Sequence, residues 1–424
     1  MKKSAARERL PRSALTLLAA VFVDALGSGL YMAVSVVFLT RYLHLGSGEV
    51  GLGLGVAGAV SFALLVPTGI LADRAGPRRM LLAAHLTRAA LLACYPFASS
   101  FVSFLLVVSL LAVADRAASP LVQGMFGAAV EPGQRVRAMG MARSLQNLGL
   151  ALGGLAAAGA LLGDSDGVYL AVVYVNALSF VLAAVLVTRL RAGGAGGSGR
   201  PLPWRRRLAV FRDRRFTVLT VLNSVVSLHV TVLTVGVPLW VLAHDELPRA
   251  VIAWTLVLNT VVVVLFQVRA TRGVESAADG GRALRLSGLL LAAGCLALAA
   301  TGELSTTAAV TVLLLAVAFQ AFAEMYQQAG AWAISYDLAP EDRRQVYLAF
   351  FSLGNAARNT YGPLVVTFLV VQRGAVGWLL LGALALGCGV WASRAGRPST
   401  LPGAQPAPAV PLTDIQGESH GTHP

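Results

Sequence analysis

FVSFLLVVSLLAVADRAASPLVQGMFGA, residues 101–128, is apolar over a length that crosses a bilayer, yet it sets Asp115 and Arg116 side by side near its middle. As a helix this run rises about 42 Å, more than the roughly 30 Å of a hydrocarbon core. Comparable runs recur along the chain, at roughly 14–40, 49–71, 80–98, 138–162, 167–188, 216–242, 249–268, 284–302, 305–333, 345–370 and 374–393. With 101–128 they make twelve. Of the 424 residues 56% are hydrophobic and only 13% charged, about half the charged fraction of a soluble domain. The expectation is an all-α membrane protein with twelve transmembrane helices in two pseudo-symmetric six-helix bundles.

The net charge of +14 follows the loops. Lys and Arg gather in the first twelve residues, at 72–79, 129–137, 189–215, 269–285 and 334–344, and after the last run, while the alternate loops hold only Arg41, Arg249 and Arg373. By the positive-inside rule both termini are cytoplasmic, and the abundance of Ala and of Arg over Lys hints at a bacterial cytoplasmic membrane. A nucleic-acid role would need a folded basic module, and no segment outside the apolar runs is long enough to make one. The first run is too long for a removable signal peptide and lacks a cleavage site. Cys94, Cys295 and Cys388 stand apart in apolar surroundings, which points to packing rather than to a disulfide or a metal. With no Ser/His/Asp set, nucleotide loop or metal-spaced cluster, neither an enzyme nor a cofactor is expected.

The domain reading is a cytoplasmic tail (1–12), a first bundle (13–188), a basic linker (189–215), a second bundle (216–394) and a disordered cytoplasmic tail (395–424). The linker is Gly-rich and flexible in its first part; its basic second part is expected along the anionic inner leaflet. A shift of 208 residues lays 131–154 over 339–362. It sets Pro132 on Pro340, Arg135 on Arg343, Ser144 on Ser352, Asn147 on Asn355, Gly154 on Gly362 and Arg116 on Glu324. Matched polar positions in otherwise apolar helices point to a duplication.

Helical spacing then sorts the polar residues into stripes. Arg116 shares a face with Ser119, Pro120 and Gln123; Glu324 with Gln327 and Gln328; Arg143 with Gln146 and Asn147; Asn355 with Arg358 and Asn359. A charge facing lipid at midplane costs about 2.5–3.5 kcal/mol on the most lenient scale, so these stripes point inward. Asp115 and Arg116 differ by about 100° around the helix, and only one can face the centre. The plain alternative is an ion-pair network that merely ties helices together, although buried pairs are poor sources of stability. Asp24 sits at mid-depth of the first run, ahead of Gly27 and Gly29, whose small size permits close helix approach. Asp24, Glu324 and Asp115 are the proton-coupling candidates. Arg116, Gln123, Arg143, Asn147, Gln327, Gln328, Asn355, Arg358 and Tyr31 are the candidates for lining a substrate cavity, with Arg116 and Arg358 as modulators of Asp24 and Glu324. Sequence alone leaves open whether Arg88 and His229 reach that cavity.

Between the second and third runs stands GILADRAGPRRMLL (69–82). Gly69, Asp73, Arg74, Gly76, Arg78 and Arg79 fill the pattern G-x-L-A-D-R-x-G-x-R-R, and with the twelve runs and two halves the chain resembles the major facilitator superfamily over residues 13–394. The resemblance implies alternating access, with Asp73 accepting hydrogen bonds at the start of span 11, where exposed N–H groups and the helix dipole favour an anion, and Arg135 or Arg137 completing the latch. The matching loop of the second half, 267–286, keeps its basic residues without the Asp-Arg-x-Gly core. The Gly-Pro signature of drug antiporters in span 5 is reduced to GLALGG (149–154). The pattern resembles the twelve-span proton-linked efflux branch, which the carboxylate Asp24 in the first span fits. The expected function is proton-coupled export of a small amphipathic molecule by a monomer, with the cavity arginines favouring an acidic group; the alternatives are a proton-driven uptake symporter and, remotely, a membrane sensor or scaffold.

Overall fold

The computed structural model describes residues 10–98, 100–163, 165–190 and 208–397, and no strand occurs among them. In the first half α1 (Arg12–Val37) continues into a π-turn (Phe38–Tyr42) and is followed by α2 (Ser47–Ala75), α3 (Pro77–Cys94), α4 (Phe101–Ala129), α5 (Arg135–Leu161) and α6 (Asp166–Thr188). The second half holds α7 (Arg214–Leu242), α8 (Val251–Ala270), α9 (Ala277–Ala300) and α10 (Thr306–Leu338). A final helical stretch, Arg344–Ala395, has 52 residues and would be about 78 Å long if straight, far beyond a bilayer. Gly374 breaks it at φ 54, ψ −130, a conformation glycine reaches without a Cβ clash. The chain then folds back so tightly that a Cβ on Gly377 would lie 1.8 Å from the Leu369 carbonyl. The stretch is therefore two helices, α11 (344–373) and α12 (375–395). Eleven continuous membrane-length stretches thus give twelve spans, and the expected architecture stands.

Helix ends fall up to seven residues from the apolar runs, most of all at α9. There Ser276 accepts from the Asp279 N–H at 3.2 Å, and Asp279 pairs with Arg282, so the helix begins a polar turn and more before its apolar part. The loop from α2 to α3 turns at Gly76, with φ 88, and Pro77 opens α3. The two turns aligned by the 208-residue shift match in form: a 3₁₀ turn at Pro132–Gln134 precedes α5, and one at Glu341–Arg343 precedes α11.

The linker is described again from Leu208 onward. Residues Leu208–Arg212 form a 3₁₀ turn that docks on the second bundle. Val210 is fully buried, and the Phe211 ring meets Phe350 edge-on at 5.1 Å. Asp213 caps α7 by accepting from the Phe216 N–H at 3.0 Å. Two apolar side chains, Val210 and Phe211, hold this piece against the second bundle. The expectations of a flexible Gly-rich segment and of a disordered C-terminal tail lie outside the described residues.

Within the first bundle α1 packs on α5 and α6, and glycines bring α1 and α5 into backbone contact. A Cβ on Gly29 would lie 2.4 Å from the Leu150 carbonyl, and one on Gly153 2.2 Å from that of Leu26. The bundles meet along a seam where α5 faces α8 and α10, and α11 faces α2 and α4. The face on which α1 begins and α12 ends is called the terminus face below, and the opposite one the far face.

Candidate functional site

Two charge clusters occupy the middle of the helices. In the first bundle, Asp24 lies about 18 Å along α1 and accepts from both terminal nitrogens of Arg88, at 2.9 and 3.1 Å. The same guanidinium reaches Asp115 Oδ1 at 2.7 Å, so one arginine on α3 joins carboxylates on α1 and α4. The Arg88 side chain is 4% exposed and that of Asp115 61%. The guanidinium also stacks on the Phe180 ring at 3.7 Å, a contact that a delocalised cation makes well. His85 is buried beside the pair, its Nδ1 3.8 Å from Asp24.

The second cluster bridges the bundles. Arg143 on α5 donates to Glu324 on α10 at 2.9 Å, and Asn259 on α8 donates to the other carboxylate oxygen at 3.3 Å. Glu324 is 6% exposed and Arg143 26%. Arg358 on α11 donates to Asn359 at 2.6 Å and stands within electrostatic range of Arg143, Glu324 and Arg116. Arg116 is half-buried, with no hydrogen bond or ion pair among the described residues. The expected pairing of Asp24 and Glu324 with Arg116 and Arg358 is corrected here: Arg88 and Arg143 hold the two carboxylates. Asn147, Gln328 and Asn355 are half-buried on α5, α10 and α11.

Three expected cavity residues lie elsewhere in this conformation. Gln327 is buried inside the second bundle, where it donates to Asn223 at 2.7 Å and pairs with His229 Nε2 at 3.2 Å. It stands about 100° from Gln328 around α10, so the two cannot share one direction. Gln123 is buried in the seam near the terminus face: its side-chain amide donates to Ser335 at 2.7 Å, and its backbone carbonyl accepts from the Tyr336 hydroxyl at 2.5 Å. Tyr31 packs into the far half of the first bundle's core beside Tyr95.

The loop motif builds a clasp at the terminus face. Asp73 accepts from the backbone N–H groups of Gln345 at 2.8 Å and Val346 at 3.1 Å, two of the unsatisfied donors at the start of α11. Gly69 allows this approach, since a Cβ there would lie 2.6 Å from that of Ala349. Arg78 donates to the carbonyls of Val187 and Thr188, closing the end of α6. Arg74 and Arg79 are exposed. Arg135 completes no contact with Asp73; it donates to the Gly127 carbonyl at 3.1 Å and lies over the Tyr336 ring. Each cross-bundle bond named here lies at mid-depth or nearer the terminus face, so that side of the seam is shut.

The family model described as Major Facilitator Superfamily matches residues 17–323. No curated protein sequence matches the chain. Similar solved structures include a bacterial homologue of the iron transporter ferroportin in an outward-facing state, with TM-score 0.72 and 14% identity over 91% of this chain and 98% of that one. The E. coli fucose:proton symporter follows with TM-score 0.69 and 12% identity over 91% and 98%. The human organic anion transporter MFSD10 has TM-score 0.63 and 16% identity over 91% and 98%. At these identities the likeness is one of fold.

Proposed function

Because the chain belongs to the major facilitator superfamily, and is therefore a multi-pass membrane transporter rather than an enzyme, we propose that it exports a small amphipathic molecule against protons by alternating access. The observation that carries this reading is the Arg143–Glu324 pair, a charge contact at mid-depth across the seam. Rocking one bundle against the other must make or break it. A proton on Glu324 removes the charge that Arg143 holds and so loosens the shut side; loss of that proton restores it. Asp24 and Asp115, sharing Arg88, supply a second acceptor pair within the first bundle. With the Asp73 clasp engaged, the described state is the one shut toward the cytoplasm, the terminus face being cytoplasmic by the positive-inside rule.

A proton-driven uptake symporter is the second reading. It is favoured by the missing proline in GLALGG (149–154) and by the fucose:proton symporter among the similar folds. Inside-out vesicles with an acid lumen separate the two, using a compound found by resistance profiling of an expressing strain. Export predicts accumulation in the acid lumen; loss of the compound together with protons establishes uptake instead. Glu324→Gln keeps a hydrogen bond to Arg143 but cannot titrate, and is expected to remove the dependence of transport on the proton gradient. Unchanged proton-driven transport in this variant would take Glu324 out of the coupling step.

A further inference from the structure

We propose that the docked end of the linker, Leu208 to Asp213, is a strap that positions the start of α11 for the Asp73 clasp, so that the connection between the bundles helps set how firmly the terminus face is shut. This role goes beyond the transport reading and is independent of the direction of transport. It follows from the first two turns of α11, which begins at Arg344. Their backbone serves the first bundle, since the N–H groups of Gln345 and Val346 reach Asp73 at 2.8 and 3.1 Å. Their side chains serve the linker. The hydroxyl of Tyr347, the next residue, donates to Asp213 Oδ2 at 3.3 Å, and the Phe350 ring meets Phe211 at 5.1 Å.

Asp213 uses its two oxygens for two helices. Oδ1 accepts the Phe216 N–H at 3.0 Å and so starts α7, while Oδ2 holds Tyr347 on α11. The buried Phe216 ring adds to this grip, 4.8 Å from the Tyr347 ring and 6.1 Å from that of Phe350. The junction of linker and α7 thus fixes the side chains of the same two turns whose N–H groups Asp73 takes. The clasp needs that support. Helix ends fray, and each residue turns about 100°, so a modest rotation of the first turn carries both N–H groups away from one carboxylate. Hydrogen bonds weaken steeply as their angle falls, whereas donors held in place beforehand bind without a further ordering cost. None of these strap contacts involves the first bundle, so rocking the bundles can break the clasp and leave the strap engaged, with the donors ready for the next closure.

The test uses the full-length protein in detergent without substrate or gradient, so its failure is separate from a failure of proton coupling in vesicles. Spin labels on Arg79→Cys and Arg272→Cys, with Cys94, Cys295 and Cys388 replaced by alanine, report the width of the terminus face. Tyr347→Phe removes the hydroxyl and keeps the ring. Asp213→Ser keeps a capping oxygen for α7 but has no second oxygen for Tyr347. Each is expected to raise the ratio of open to shut populations about twofold to tenfold, the worth of one hydrogen bond. In an Asp73→Ala background the same two changes should have no further effect, because the donors they position have lost their acceptor; such non-additivity is the mark of residues that act through one contact. Unfolding midpoints are measured alongside. If either variant lowers the midpoint and leaves the distance distribution unchanged, these contacts only tie the second bundle together and the strap is overturned. Effects that add fully to that of Asp73→Ala would overturn it as well.

Discussion

Arg88 is the residue on which the interior of the first bundle depends. It is nearly buried, touches Asp24, Asp115 and Phe180 at once, and has no equivalent pairing on α9. Removing one partner from a buried pair leaves an uncompensated charge, which costs about 3–5 kcal/mol. Arg88→Met is therefore expected to destabilise the protein by about that amount in thermal or denaturant unfolding. Asp115→Asn, at an exposed carboxylate, should cost no more than about 1 kcal/mol. Equal effects would mean that the double bridge is not an interior feature. The sequence carried a signal for this hub: His85 and Arg88, three apart, share one face of an apolar helix. What it could not supply was the choice of partner, because Asp24, Asp115 and Glu324 were all charges of the right sign at a similar depth.

At the scale of elements, small residues decide where the helices touch and where the chain turns. Gly374 and Gly387 make a controlled comparison. The former has φ 54 between α11 and α12, while the latter lies within α12 with open space where a Cβ would stand. Gly374→Ala should destabilise by about 1–3 kcal/mol through backbone strain, and Gly387→Ala should be neutral or slightly stabilising, both read by unfolding midpoints. The apolar runs located every span, since hydrophobic length alone signals a helix that must satisfy its own backbone in lipid. Their ends were less legible. The first turn of α9 is polar and held by a cap, while the docked turn Leu208–Arg212 is apolar but far too short to read as a span, and such local contacts leave no trace in a hydropathy pattern.

Across the whole molecule, the Asp73 clasp and the Gln123–Ser335 and Tyr336 bonds act on the terminus side of the seam, with the Arg143–Glu324 pair at mid-depth behind them. Asp73→Asn weakens acceptance from the α11 N–H groups, and is expected to lengthen and broaden the distance distribution between spin labels at Arg79 and Arg272, both exposed on the terminus face. Turnover should slow while the order of preferred substrates stays the same. A changed order of preference would show that the loop contributes to the binding site itself.

The twelve spans, the two halves and the loop motif were set by the sequence on its own, because each rests on local properties: apolar length, the period of the helix, and glycines where the backbone must turn. Which carboxylate meets which arginine was decided only in three dimensions. Pairing depends on the azimuth and depth of helices brought together by packing, and a rotation of about 100° per residue separates a seam residue such as Glu324 from one enclosed within a bundle, as Gln327 is.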